Sequence, residues 1–169
     1  MTQTAANEPT KRKTDAAPDA IALLKADHAE VHKLYKQYQK LVDQKADADT
    51  RATLAGKICQ ALTVHASIEE EIFYPAAREV IDDANVLDHA DVEHASAKAL
   101  IAQIESMHAD ETHYDAKVCV LCEYISHHVS EEEEELFPKV RRKLDLKALG
   151  ETLAARKAEL TLASAREVA

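Results

Sequence analysis

The chain has no tryptophan, two glycines, four prolines and three cysteines in 169 residues, and aromatic residues make up only 4% of it. Scarce glycine and proline leave few tight turns, and strand-like alternation of β-branched residues is nowhere evident, which argues against a β-rich fold. An odd number of cysteines points away from a disulfide framework. The N-terminal segment has no apolar core that could serve as a secretory signal, so a reducing, cytoplasmic setting is expected. Nowhere do about 18 apolar residues run together, and no membrane-spanning helix is expected. Positive charge is in short supply as well. The net charge of −10 argues against a nucleic-acid partner and against an anionic membrane surface.

What the chain does have is helix-forming sequence. Ala, Leu, Glu and Lys dominate, and 46% of the residues are hydrophobic, enough for one domain with a real core. Residues 1–18, rich in Thr, Ala and Lys and carrying Pro9 and Pro18, read as a disordered tail. Residues 19–143 read as four helices, at about 18–42, 50–80, 84–108 and 113–143, each with apolar residues at helical spacing. Pro75 is expected to kink or end the second helix, and Asp82-Asp83 to cap the third. Long helices joined by short turns must be antiparallel neighbours, so the fold class is all-α, an up-down-up-down four-helix bundle. Residues 144–169 supply an extra amphipathic C-terminal helix, at about 146–162, and a tail. That helix is expected to pack outside the bundle or to serve a partner.

One pattern occurs twice. His65-Ala-Ser-Ile-Glu69-Glu-Glu-Ile-Phe-Tyr-Pro75 is matched by His128-Val-Ser-Glu-Glu132-Glu-Glu-Glu-Leu-Phe-Pro138. An acidic-His-Ala triplet precedes each copy: Asp27-His28-Ala29 and Glu93-His94-Ala95. A four-residue step turns a helix by about 400°, so each His and its Glu point the same way one turn apart. The repeat implies two similar helical hairpins related by a pseudo-twofold axis. Four histidines on the apolar faces of four helices, with two glutamates, satisfy one another poorly in a core without a cation. Carboxylates and neutral imidazoles suit iron, manganese or zinc, and two glutamates can bridge two ions.

The remaining polar residues have plainer readings. His32 is read as supporting or core, and the run Glu131–Glu135 as a solvated face with only Glu132 in phase with His128. Tyr35, Tyr74 and Tyr124 are read as core residues with a wet tip, able to hydrogen-bond near the site. Cys119-Val-Leu-Cys122 falls mid-helix and reads as packing, not as a redox pair. A ferritin-like site needs two Glu-x-x-His motifs, and only Glu105/His108 is present.

The order His, His-x-x-x-Glu, His, His-x-x-x-Glu, with its Tyr-Pro and Phe-Pro boxes, resembles the hemerythrin, or HHE cation-binding, domain family over about residues 21–142. The resemblance implies His28, His65, His94 and His128 as iron ligands, with Glu69 and Glu132 bridging two non-haem irons. The oxygen-carrying hemerythrins have a His-x-x-x-His pair on the third helix. Here Ala90 and Lys98 flank His94 at that spacing, and His89 is out of phase. The set looks more like bacterial di-iron proteins linked to iron-centre repair or to iron and oxygen sensing, without the repair proteins' Cys-bearing N-terminal domain. The expected function is binding or sensing of O2, NO or peroxide, or iron handling. A di-iron peroxidase, a nitric-oxide-handling or repair enzyme, and a metal-stabilised interaction module are the alternatives. Counting donors under the repeat's symmetry leaves one open position on each iron.

Overall fold

The computed structural model describes residues 18–82 and 85–167, and every regular element among them is helical. Helix α1 spans Ala20–Asp43, with the Asp19 side chain accepting from Ala22 N at 2.8 Å as its cap. Helix α2 spans Ala48–Ile68. It starts two residues earlier than its sequence pattern suggested, because Asp47 accepts from both the backbone N and the hydroxyl of Thr50 at 2.8 Å. Residues 1–17, where a disordered tail is expected, and Asp83 of the expected cap lie outside the described residues.

Pro75 does not end its helix. A π-helical turn, Glu69–Phe73, is inserted after α2, and the helix resumes as α3, Tyr74–Arg78, with Pro75 in its first turn. The wider turn, closed by Tyr74 N to Glu69 O, leads the chain to the proline, whose missing N–H is tolerated in a helix's first turn. The second half repeats the device. Helix α4 spans Asn85–Glu105 and α5 spans Tyr114–Glu131; a π-turn at Glu132–Leu136 and α6, Phe137–Val140, follow, with Pro138 placed like Pro75. Both π-turns begin on the glutamate of the repeated motif. Such bulges concentrate at functional sites.

α1 pairs with α2 and α4 with α5, while α1 against α5 and α2 against α4 close the bundle. Two apolar clusters fill it. One includes Tyr38, Ile58, Leu62, Ile101 and Leu121; the other includes Leu24, Ile68, Phe73, Leu87 and Leu136. Each fully buried Leu or Ile contributes roughly 1.5–3 kcal/mol. Along α1 the second cluster comes first, through Ile21 and Leu24, and the other begins at Val31. His28 falls between them, in a polar layer sealed at both ends by hydrocarbon.

Helix α7, Leu146–Glu167, lies outside the four, across α1 and α2. Leu153 anchors it with no exposed surface. Gly150 makes the approach close enough that a Cβ would fall on the backbone of Pro18, Asp19 and Ala20.

Candidate metal centre

All six motif residues meet in the polar layer. They are the only polar or charged residues fully buried among those described: His28, His65, His94 and His128 at 7% exposure or less, Glu69 at 0% and Glu132 at 2%. His28 Nε2 lies 3.1 Å from His65 Nε2, and His94 Nε2 lies 3.2 Å from His128 Nε2. Glu69 spans the two pairs, with Oε1 3.2 Å from His65 Nε2 and Oε2 3.4 Å from His94 Nε2. Glu132 spans them as well. It does so through one oxygen: its Oε2 is 3.3 Å from His28 Nε2 and 3.7 Å from His128 Nε2, while its Oε1 accepts from the Tyr74 hydroxyl at 2.9 Å. The donor atoms of His28, His65, Glu69 and Glu132 form one compact group, and those of Glu69, His94 and His128 a second.

The outer nitrogen of each imidazole faces a carboxylate. His28 Nδ1 donates to Glu133 at 2.9 Å and His94 Nδ1 to Glu70 at 2.9 Å; His65 Nδ1 donates to Asp27 at 3.4 Å and His128 Nδ1 to Glu93 at 2.7 Å. These partners obey the repeat. The acid just before each triplet His holds the motif His of the same half. The Glu just after each motif Glu holds the triplet His of the other half. A ring whose Nδ1–H is committed outward presents the Nε2 lone pair inward. The sequence pattern contained all four acids, but Glu133 fell within the run Glu131–Glu135 read as a solvated face, and periodicity alone gave Glu70 no role.

The layer so built calls for positive charge. Two inward lone pairs at 3.1 Å repel unless a proton or cation lies between them, and Glu69 Oε1 and Glu132 Oε2 have no hydrogen-bond partner. Protons answer part of this. Burial works against an imidazolium at His65, yet Glu69, Asp27 and Glu132 outweigh it and lift the ring's pKa to about 10. Burial likewise pushes the Glu69 carboxyl up, but His65, His94 and His128 hold it down at about 2. Two divalent cations would answer all of it, with nitrogen and oxygen donors already in place. The residues present therefore fit a dinuclear site.

One residue breaks the symmetry. The Tyr74 hydroxyl lies 3.2 Å from His94 Nε2 and 3.4 Å from His128 Nε2. Burial first, then Glu69 and Glu132, push its pKa well above the ordinary value, so the phenol stays protonated. At the matching position Phe137 stacks on His28, with ring centroids 6.0 Å apart. The equal halves implied by the motif count are thus unequal in fact. The other histidines stay out: His32, His89, His108, His113 and His127 are exposed on the surface. Cys59 and Cys122 are buried in the apolar cluster, as packing residues would be.

The family model of the hemerythrin HHE cation-binding domain matches residues 19–140. The chain belongs to the hemerythrin HHE cation-binding domain family. A solved hemerythrin HHE cation-binding domain-containing protein from Mycobacterium kansasii shares the HHE architecture with a TM-score of 0.74, covering 89% of this chain and 92% of that one at 20% identity. A curated relative, a DNA nickase from a Nostoc strain, is 29% identical over 122 residues; they make up 72% of this chain and 33% of the relative, so this HHE chain matches about one third of that protein's length. No described helix is long and apolar enough to cross a membrane.

Proposed function

We propose that this chain is a non-haem di-iron protein that binds or senses a small ligand, O2, NO or peroxide. The observation that carries this reading is the pair of buried carboxylates set between the two histidine pairs. Glu69 turns Oε1 toward His65 and Oε2 toward His94, and Glu132 sets Oε2 between His28 and His128, with Oε1 on the Tyr74 hydroxyl. His28, His65, His94 and His128 would be the terminal ligands, and the two glutamates the bridges. Iron suits nitrogen and oxygen donors without sulfur; manganese or zinc would accept the same set. When bound, such a pair supplies open coordination positions and one-electron chemistry to a small oxidant or diatomic.

The chain's own residues limit what can enter. A cavity of about 20 Å³ borders the four imidazoles and is lined by Val31, Leu62, Ala97, Ile101, Ile125 and Val129. That is room for about one water-sized molecule between apolar walls. This space suits a very small ligand.

Tyr74 favours a redox variant of the same reading, turnover of peroxide or nitric oxide. Its protonated hydroxyl donates to Glu132 Oε1 and lies beside the His94 and His128 nitrogens. There it can hold a proton at the centre or add an oxygen donor to that half. The nickase activity named for the Nostoc relative is not carried over, since the net charge of −10 opposes tight contact with a phosphate backbone.

Iron analysis with absorption spectra of aerobically purified protein, before and after azide or peroxide, tests the proposal. Two irons per chain and a spectrum that responds to either reagent support it. A metal-loaded protein blind to O2, azide and peroxide would leave only the metal-stabilised module.

A further inference from the structure

Three of the four outer carboxylates are themselves gripped by a lysine. Glu133 takes Lys25 at 2.6 Å, and Glu70 takes Lys98 at 2.5 Å. Each of these lysines rides on the same bundle helix as the imidazole it serves: Lys25 and His28 on α1, Lys98 and His94 on α4. Asp27 is different. Its Oδ1 is held by Lys157, which comes from α7, outside the bundle. The pseudo-twofold counterpart of Asp27 is Glu93, and among the described residues no lysine or arginine reaches it.

We propose that Lys157 is a positioning residue of the metal centre, fixing His65 through Asp27, so that docking of α7 sets how firmly the His28/His65 half holds its cation. The inference rests on the metal reading given above. Its physical basis is the weakness of the Asp27 link on its own. At 3.4 Å the Asp27–His65 contact is the longest of the four outer bonds, against 2.7 to 2.9 Å for the others. The second oxygen of Asp27 is the one Lys157 takes. Beside it runs an open groove of about 250 Å³ between α1, α2 and α7, bordered by Glu30, Lys57, Gln60 and Thr161. Without Lys157, the carboxylate has room to turn into that groove and leave the imidazole.

A second tie reaches the same half from the same helix. Arg156 forks onto Glu71, with Nε to Oε2 at 2.7 Å and Nη2 to Oε1 at 3.2 Å, and Glu71 lies in the π-turn that begins at Glu69. α7 therefore touches the supports of both His65 and Glu69, whereas Glu134, the counterpart of Glu71, has no lysine or arginine partner among the described residues. Outer partners of this kind change metal affinity by roughly ten- to a hundredfold when removed.

The test is iron release. Wild type, K157M, K157R, D27N and the remote control K36A are loaded anaerobically with Fe(II), and transfer to a ferrous chelator is followed by absorbance. In K157M, one of two irons should leave roughly ten- to a hundredfold faster than in wild type, with the other unchanged. K157R should restore the wild-type trace, and K36A should match it. D27N keeps the α7 lysine and carries the same prediction should K157M fold poorly, and K157M/D27N should be no faster than either alone. Wild-type release of both irons from folded K157M or D27N would overturn the proposal, as would equal acceleration of both irons. Failure of the wild type to take up iron would instead remove the metal reading, and this inference with it.

Discussion

The Tyr74 hydroxyl and the Phe137 ring occupy equivalent positions of the two halves, and only the hydroxyl enters the polar layer. It stands 3.2 Å from His94 Nε2, whereas Phe137 lies flat against His28. The pseudo-symmetric set of buried side chains therefore has one half with an extra oxygen and one half without.

Azide stoichiometry reads this difference. If Tyr74 fills a position beside His94 and His128, the iron-loaded wild type should bind one azide per chain and Tyr74→Phe should bind two, with two irons in both. Two azides on the wild type would show that Tyr74 leaves its half open.

Metal should matter to stability, because the folded layer has donors that protons serve incompletely. A cation that binds only the folded chain adds about 4 kcal/mol when free metal is about 1,000 times Kd. For a domain of this size that corresponds to a Tm higher by roughly 8–16 °C for each site. Calorimetry before and after complete chelation measures it, and an unchanged Tm would sever metal from folding.

Much of this centre was legible in the sequence. The four-residue step from His to Glu, used twice, placed six donors on four helices, and the structure brings all six into one layer. Tyr74 was visible as a residue near the site, but a repeat argues for sameness, and only packing shows that Tyr and Phe at one position do different things. The π-turns were not legible. Proline predicts a break in α-geometry, and a single wide turn that lets the helix continue leaves no composition signal. The lysine from α7 was hidden because its partner lies far away in the chain, and no periodicity connects them.

The cysteines should behave as packing. Burial first pushes the thiols of Cys59 and Cys122 up to about 12. A thiol reagent at pH 8 should modify at most Cys119 in the native protein and all three after denaturation. Replacing Cys119 and Cys122 together with Ala should cost about 1–3 kcal/mol and leave iron content unchanged. Loss of iron from that folded variant would give the pair a role at the centre.

The two glycines should respond in opposite directions. Gly150→Ala forces a methyl onto the backbone at Pro18–Ala20 and should destabilise the chain by about 1–3 kcal/mol. Gly56 is exposed on α2 with nothing within 4 Å of an added Cβ, and Gly56→Ala should stabilise by about 0.5–1 kcal/mol. Urea unfolding of both variants checks the pair. A neutral Gly150→Ala would mean that α7 is not seated as described.

The central claim is that one buried carboxylate serves two metal ions. Metal analysis of wild type and Glu69→Ala, each loaded anaerobically with excess Fe(II), desalted and checked for helicity, tests it most directly. The account predicts two irons per chain in the wild type and loss of both in the variant, because Glu69 offers one oxygen to each histidine pair. Two irons retained by a folded Glu69→Ala, or a wild type that never exceeds one, would contradict it.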